Sequence, residues 1–132
     1  MKIIIPIAPR TKKNSQQIVW KGGRPIIIPS AAYKMYEREA RAFLTPLETP
    51  INYPVNVKCL YYMPTRRRVD LSNLLNSTLD ILVHYGVLLD DNRNIVYSVD
   101  GSRVLYDKAS PRTEIEITPI TEGVESWVKK ST

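Results

Sequence analysis

A stripe of leucines between residues 71 and 82 sets the strongest constraint on how this chain can fold. The stripe recurs at helical spacing and comprises Leu71, Leu74, Leu75, Thr78, Leu79 and Leu82. Asp70 stands where such a helix would begin, as its N-cap, and Gly86 stands where it would end. A helix with one strongly apolar face must bury that face, so this pattern predicts a helix packed on a sheet.

The flanking segments supply the strands of that sheet. Strands are predicted at residues 3–7, 17–20, 24–28, 54–63, 95–105 and 113–117. The second and third form a hairpin around Gly22 and Gly23, and the strand at 95–105 bends at Gly101. A first helix is predicted from Ser30, its N-cap, to about Leu44, with a stripe of Tyr33, Tyr36, Ala40 and Phe43.

This order of elements predicts the α+β class. The sheet is expected to be mixed or mostly antiparallel, with the two main helices packed on one side. With 132 residues the chain suits one domain, which we place at residues 1–120. The polar segment 121–132 is predicted to form a tail outside that domain.

The charge of the chain favours an anionic partner. Lysines and arginines number 19 against 13 acidic residues, a formal charge of +6, and nucleic acid is the commonest partner of basic proteins. A generically basic small protein is the alternative. The single cysteine, Cys59, allows neither an internal disulfide nor a cysteine-rich zinc site, and we expect a buried structural thiol. No apolar run approaches a membrane span, so a cytosolic protein is expected.

A basic run and several carboxylates flank the leucine-striped helix. Three consecutive arginines, Arg66–Arg68, precede Asp70, and Asp90 and Asp91 follow beyond the helix, which could fold back to bring one of them toward Asp70. Arginine attracts phosphate, and clustered carboxylates hold hard cations such as Mg²⁺. The combination is what metal-assisted phosphodiester hydrolysis requires. Taken singly, the arginine run is also consistent with a solvated surface, and Asp90–Asn92 with a simple loop.

The same helix carries a predicted polar stripe beside its leucines. The stripe comprises Asp70, Asn73, Ser77, Asp80 and His84. Asp70 and Asn73 are one turn apart and can share a site. Asp80 lies about 15 Å along the axis from Asp70, so a salt bridge or a dimer contact is the favoured interpretation. His84 is the only histidine, which excludes a histidine-rich zinc site built within the chain, and no partner beside it in the sequence supports serine-nucleophile chemistry.

Together these residues resemble the RusA family of Holliday-junction resolvases, small endonucleases common in phages and prophages. The resemblance spans nearly the whole chain, and its specific part is the segment from Arg66 to Asn92, with the tract RRRVDLSNLL and the LDDN turn. The KKNS loop at residues 12–15 is a weaker match. The resemblance implies an intertwined α+β homodimer that binds four-way DNA junctions and cuts two strands symmetrically. It also implies a bacterial or phage-infected host cell.

The resemblance further implies a cofactor and a set of site residues. Mg²⁺ or Mn²⁺ would be held by Asp70 and Asp91 with Asp90 as their neighbour, and Asn73 matches the asparagine that follows the family's acidic pair. The basic residues expected to contact DNA are Lys12, Lys13, Asn14, Arg66, Arg67, Arg68 and Arg103.

Two positions depart from the family pattern. Ser72 stands where the family commonly has a second aspartate, and Asn76 where its best-known members have lysine. Serine is a neutral and weaker ligand for a hard cation, so the site has one negative charge fewer. An active resolvase and a catalytically weak or inactive junction-binding protein therefore both remain open. A basic domain that binds a protein partner is the third hypothesis.

Overall fold

The architecture combines a mixed sheet, a separate hairpin and two helices. The structure, a computed structural model, describes residues 1–12 and 16–120. The strands are β1 (Lys2–Ile5), β2 (Gln16–Lys21), β3 (Arg24–Pro29), β4 (Val55–Met63), β5 (Val96–Ser98), β6 (Arg103–Tyr106) and β7 (Arg112–Pro119). The helices are α1 (Ala31–Ala40) and α2 (Leu71–His84), and a 3-10 turn, Arg41–Phe43, follows α1. The predicted α+β class is confirmed.

The central strand of the main sheet is β4, which is hydrogen-bonded along both edges. One edge pairs antiparallel with β7, which in turn pairs antiparallel with β1. The other edge pairs in parallel with β5 along its first half and with β6 along its second half. Such a parallel pairing needs a crossover, and α2 provides it between β4 and β5.

The core lies between one face of this sheet and the two helices. Alternate residues of β4, Val55, Val57, Cys59 and Tyr61, are buried, as the period of two in a strand requires. From α2 the buried apolar residues are Leu74, Leu79, Ile81 and Leu82, and from α1 they are Tyr33, Tyr36 and Ala40. The Tyr61 hydroxyl and the Thr78 Oγ1 lie 2.7 Å apart, which ties the strand directly to α2.

The predicted first helix is correct at its start and wrong at its end. The Ser30 side chain accepts a hydrogen bond from the Tyr33 backbone N–H at 3.2 Å, as an N-cap does. The helix tightens into the 3-10 turn after Ala40, which changes the angle between successive side chains. Phe43 therefore leaves the buried stripe and is 45% exposed, while Leu44 is buried.

The single strand predicted at residues 95–105 is also wrong, because it is divided into β5 and β6. Gly101 adopts a φ of +87° in the turn between them, a conformation that an L side chain rarely adopts. Asn56 of β4 fixes the same turn: its side-chain oxygen accepts a hydrogen bond from the Asp100 backbone N–H at 2.8 Å. The predicted bend is therefore a full break that divides one edge of β4 between two short strands.

The described residues include no helix that is both long and apolar enough to cross a membrane.

The Tyr61–Thr78 contact generates a prediction about stability. The Thr78 hydroxyl also donates to the Leu74 carbonyl oxygen at 2.9 Å, so Tyr61 must supply its own proton to Thr78. Tyr61→Phe leaves the threonine satisfied and should lower the free energy of unfolding by about 1 kcal/mol. Thr78→Val leaves the buried Tyr61 hydroxyl without its acceptor, and within the described residues only the weakly bonding Cys59 thiol lies beside it. This variant should therefore lower the free energy of unfolding by about 2–3 kcal/mol.

Urea unfolding of the two single variants and the double variant measures these effects. The double variant should be no less stable than Thr78→Val, because it also removes the Tyr61 hydroxyl that Thr78→Val leaves without a partner. A larger loss for Tyr61→Phe than for Thr78→Val would contradict this assignment of donor and acceptor.

Candidate active site

The start of α2 presents an open carboxylate. Asp70 occupies the predicted N-cap position, but its side chain makes no capping hydrogen bond to the helix backbone. It accepts instead from the Asn73 side-chain amide, with 3.3 Å between Asn73 Nδ2 and Asp70 Oδ2. Asp70 and Ser72 are exposed, whereas Asn73 is buried. Asn73 thus orients a carboxylate whose remaining lone pairs face solvent.

The second acidic position is a turn in which the two aspartates differ. Both oxygens of Asp90 are used within the turn: Oδ1 accepts from the Asp91 backbone N–H at 2.7 Å and Oδ2 from the Asn92 side-chain amide at 3.2 Å. Asp91 is exposed, and among residues 1–12 and 16–120 no hydrogen bond or ion pair engages its carboxylate. Asp90 shapes the turn, and Asp91 is available to a ligand.

These two acidic positions lie at opposite ends of β4. Asp107 follows β6 and donates its backbone N–H to the Met63 carbonyl, so the segment before Asp70 leaves the sheet at that end. The Leu89 N–H donates to Ile51 O, and Val55 N–H to Ile95 O, which holds the Asp90–Asn92 turn at the start of β4. The crossover helix separates the two positions by roughly 20 Å, from its rise of 1.5 Å per residue.

The expectation that the helix brings Asp91 back toward Asp70 is therefore not met within one protomer. The physical reason is the parallel pairing of β5 and β6 with β4: a chain that continues in parallel must return to the start of its neighbour. Consistently, no group of three or more histidine, cysteine or acidic side chains that could hold a metal ion occurs in the described part of the chain.

The chemistry of the available donors nevertheless suits a hard cation. Asp70 and Asp91 offer exposed carboxylate oxygens, which are the ligands that Mg²⁺ and Mn²⁺ prefer. Mg²⁺ is commonly held by only one or two carboxylates, with water and substrate phosphate completing its octahedron. Two aspartates would therefore suffice, provided that they approach each other.

The arginine run lies at the Asp70 end of β4. The Arg66 guanidinium stacks over the Tyr106 ring, 4.2 Å from the ring centroid, and is fixed in place by this contact. Arg67 and Arg68 are exposed, and within the described residues neither guanidinium has an acidic partner. Arg103, in contrast, is in register with Leu60 and projects from the face of the sheet opposite to α2.

The amino-terminal basic loop is attached to α2 through a residue whose role the sequence did not reveal. The Lys12 backbone N–H donates to the Ser77 hydroxyl at 3.0 Å, and the Tyr33 hydroxyl lies beside the same serine. Ser77 is about 10 Å along the helix from Asp70, so the loop begins close to the acidic end. Lys13 and Asn14, which were also expected to contact DNA, lie outside the described residues.

The polar stripe predicted on α2 is consequently not a continuous solvent-facing surface. Asn73 and Ser77 are buried, while Asp70, Asp80 and His84 are exposed. These residues do follow helical spacing, but the backbone at Lys12 covers the helix at Ser77. Helical periodicity does not predict which part of a polar stripe another segment will cover. Asp80 forms no salt bridge with any residue that the structure describes, and both the salt bridge and the dimer contact stay predictions.

Three other side chains of reactive type are engaged in contacts that stabilise the fold. Cys59 is fully buried, and this burial raises the pKa of its thiol to about 11, in agreement with the predicted structural role. His84 ends α2 and contacts the Tyr85 ring edge-on. Arg112 is held by Asp107 at 2.9 Å and by Glu114 at 2.7 Å, and its hydrogen bond to Asp107 lowers the pKa of that carboxyl.

Comparison with models of known protein families identifies a match. The family model described as "Endodeoxyribonuclease RusA" matches residues 6–118, which is most of the chain and includes both acidic positions and the arginine run. A search of the curated proteins found no match.

The different bonding of Asp90 and Asp91 yields a prediction about the turn. Asp90→Ala removes two hydrogen bonds to the turn and should lower the free energy of unfolding by about 1 kcal/mol. Asp91→Ala removes no intramolecular contact and should stay within about 0.5 kcal/mol of the wild type. Chemical denaturation of the two matched variants provides the comparison, and equal losses would refute the division of roles.

Proposed function

Because the chain belongs to the RusA endodeoxyribonuclease family, we propose that it resolves four-way DNA junctions by cutting two opposed strands in a metal-dependent hydrolysis. Family membership itself implies a Holliday-junction-resolving endonuclease. The substrate geometry, the paired cuts and the Mg²⁺ or Mn²⁺ requirement are the parts that we propose for this chain. The observation that carries the proposal is the pair of open carboxylates, Asp70 and Asp91, within the matched region.

These carboxylates lie at opposite ends of α2, which is roughly 20 Å long, and this placement bears on the oligomeric state. Ligands of one ion must lie within a few ångströms of each other, because each metal–oxygen bond is about 2 Å long. A homodimer resolves this difficulty if Asp70 of one protomer meets Asp91 of the other. By two-fold symmetry such a dimer contains two identical sites, which suits two symmetric cuts.

The chain's own residues have separable roles in this proposal. A divalent ion would lower the pKa of a bound water and neutralise charge on the scissile phosphate. Asn73 orients the Asp70 carboxylate, and Asp90 shapes the turn that presents Asp91. Arg67 and Arg68, with Lys12 and Lys13, attract the DNA backbone irrespective of sequence, so that binding weakens steeply with salt. Residues 1–120 would act as one cytosolic endonuclease domain.

A catalytically weak junction-binding protein is the second candidate. Ser72 and Asn76 favour it, because both are exposed on α2 and supply neither the second carboxylate nor the lysine that the family pattern leads one to expect. Tight junction binding without cuts in either metal, together with no thermal shift in Mn²⁺, would select this candidate.

The direct experiment is cleavage of a labelled four-way junction in Mg²⁺ or Mn²⁺, with linear duplex as the control. The wild type should introduce paired, symmetric nicks in the junction alone. Asp70→Asn should reduce cleavage by about 100-fold or more, since it removes a metal ligand, and should leave junction binding within a few-fold. Loss of binding together with cleavage in a folded variant would count against Asp70 as a ligand.

A mixed dimer tests whether the two ligands come from different protomers. Asp70→Asn and Asp91→Asn chains are co-expressed with different tags, and the doubly tagged dimer is purified. A shared site predicts one intact centre and one doubly deficient centre, so nicking of a single strand returns. If both ligands of a site belonged to one protomer, every centre of the mixed dimer would lack a ligand and no activity would return.

A further inference from the structure

The β2–β3 hairpin extends away from the rest of the described molecule. Its two strands pair from Gln16–Pro29 to Lys21–Arg24, and apart from each other they make few contacts with other elements. Gly22 and Gly23 form its turn with φ values of +59° and +77°, as a two-residue type I′ turn requires. A Cβ added at either glycine would meet nothing within 4 Å, so the tip projects into open space.

In the described part of the chain, both ends of the hairpin lead to Ser77 of α2. The chain enters the hairpin after Lys12, whose backbone is bonded to Ser77, and leaves it shortly before Tyr33, whose hydroxyl lies beside the same serine. Six residues of extended strand span roughly 20 Å. The hairpin is therefore an arm of about that length, rooted about 10 Å along the helix axis from Asp70.

The tip of this arm combines one aromatic ring with two cations. Trp20 is 70% exposed, and Lys21 and Arg24 are exposed and directly opposite each other beside the turn. Aromatic faces on which bases stack, flanked by cations that meet phosphates, are the recurring elements of surfaces that bind unpaired or unstacked nucleic acid.

The charge of the chain is concentrated in the segment that contains the arm. The first 36 residues include seven of the 19 lysines and arginines and no carboxylate. The remaining 96 residues carry 12 cations against all 13 acidic residues, so the positive net charge resides entirely in the first segment. An anionic partner is therefore attracted to the amino-terminal loop and the arm.

We propose that the hairpin arm binds at the branch point of the junction, with Trp20 on one face of the ribbon stacked on a base and Lys21 and Arg24 on the other face contacting backbone phosphates. This inference rests on the proposed function and adds a binding element for junction structure. Bases at a branch point lack the continuous stack of a duplex, so an aromatic side chain displaces fewer stacking contacts there than within a linear helix.

A second copy of the chain is the competing occupant of the arm. Ile18 and Ile27 lie on the same face as Trp20 and are 66% and 65% exposed, which would also suit a protein surface. The charge distribution decides for DNA at the tip, because Lys21 and Arg24, on the face of the ribbon opposite to Trp20, form a pair of cations in a segment free of carboxylates and match phosphate.

The test compares Trp20→Ala with Trp20→Phe and with Ile18→Ala, a matched truncation on the same face of the arm. Trp20→Ala should weaken binding to the four-way junction by about 5- to 100-fold, from the usual worth of base–aromatic stacking, and should change duplex binding by less than about twofold. Trp20→Phe should retain most of the affinity. Arg24→Ala should weaken binding to both DNAs and lower the salt slope by about one.

A second readout reports on Trp20 directly. In a Trp127→Phe background the remaining tryptophan fluorescence comes from Trp20, and stacking should quench it on the junction far more than on duplex. Unchanged junction affinity of Trp20→Ala overturns the inference, as does dissociation of a wild-type dimer by both Trp20→Ala and Ile18→Ala in light scattering. Absence of any junction preference in the wild type would instead reject the proposed function.

Discussion

The architecture depends on the parallel pairing of β4 with the two strands that follow α2. Since β5 and β6 run in the same direction as β4, the chain must travel back along the sheet between them, and the leucine face of α2 makes this return path energetically favourable. The crossover also determines where the acidic residues lie. One carboxylate sits where the chain leaves β4, and the other sits where it re-enters the sheet.

This topology divides the charged residues between the two ends of α2. The open carboxylate at the start of α2, the arginine run and the anchored amino-terminal loop belong to one end of the helix. The turn with Asp90 and Asp91 belongs to the other end. A single protomer thus carries two open carboxylates at opposite ends of α2, and the proposed symmetric pair would bring them together without any change of fold.

Local patterns in the sequence predicted the elements better than their mutual arrangement. The alternation in β4 and the leucine stripe of α2 gave the core, because burial on one face follows directly from periods of 2.0 and 3.6 residues. The predicted strand at 95–105 failed at Gly101, where a positive φ and the hydrogen bonds between Asn56 and Asp100 separate two short strands. Strand direction has no local signature, so the separation of Asp70 and Asp91 could not be derived from the pattern. The roles proposed for Asp70, Asp91 and the arginines rest on the resemblance, whereas Ser77 has no feature in the sequence that distinguishes it from other polar residues on a helix.

The hydrogen bond between Lys12 and Ser77 has a consequence for how this surface can vary. Ser77 accepts from the backbone of the loop, so the attachment requires no particular side chain at position 12. The exposed ammonium group of Lys12 is therefore independent of the bond that fixes its position. Side chains of such a loop can be exchanged over generations while its path is retained, which allows affinity for a charged partner to be adjusted separately from folding.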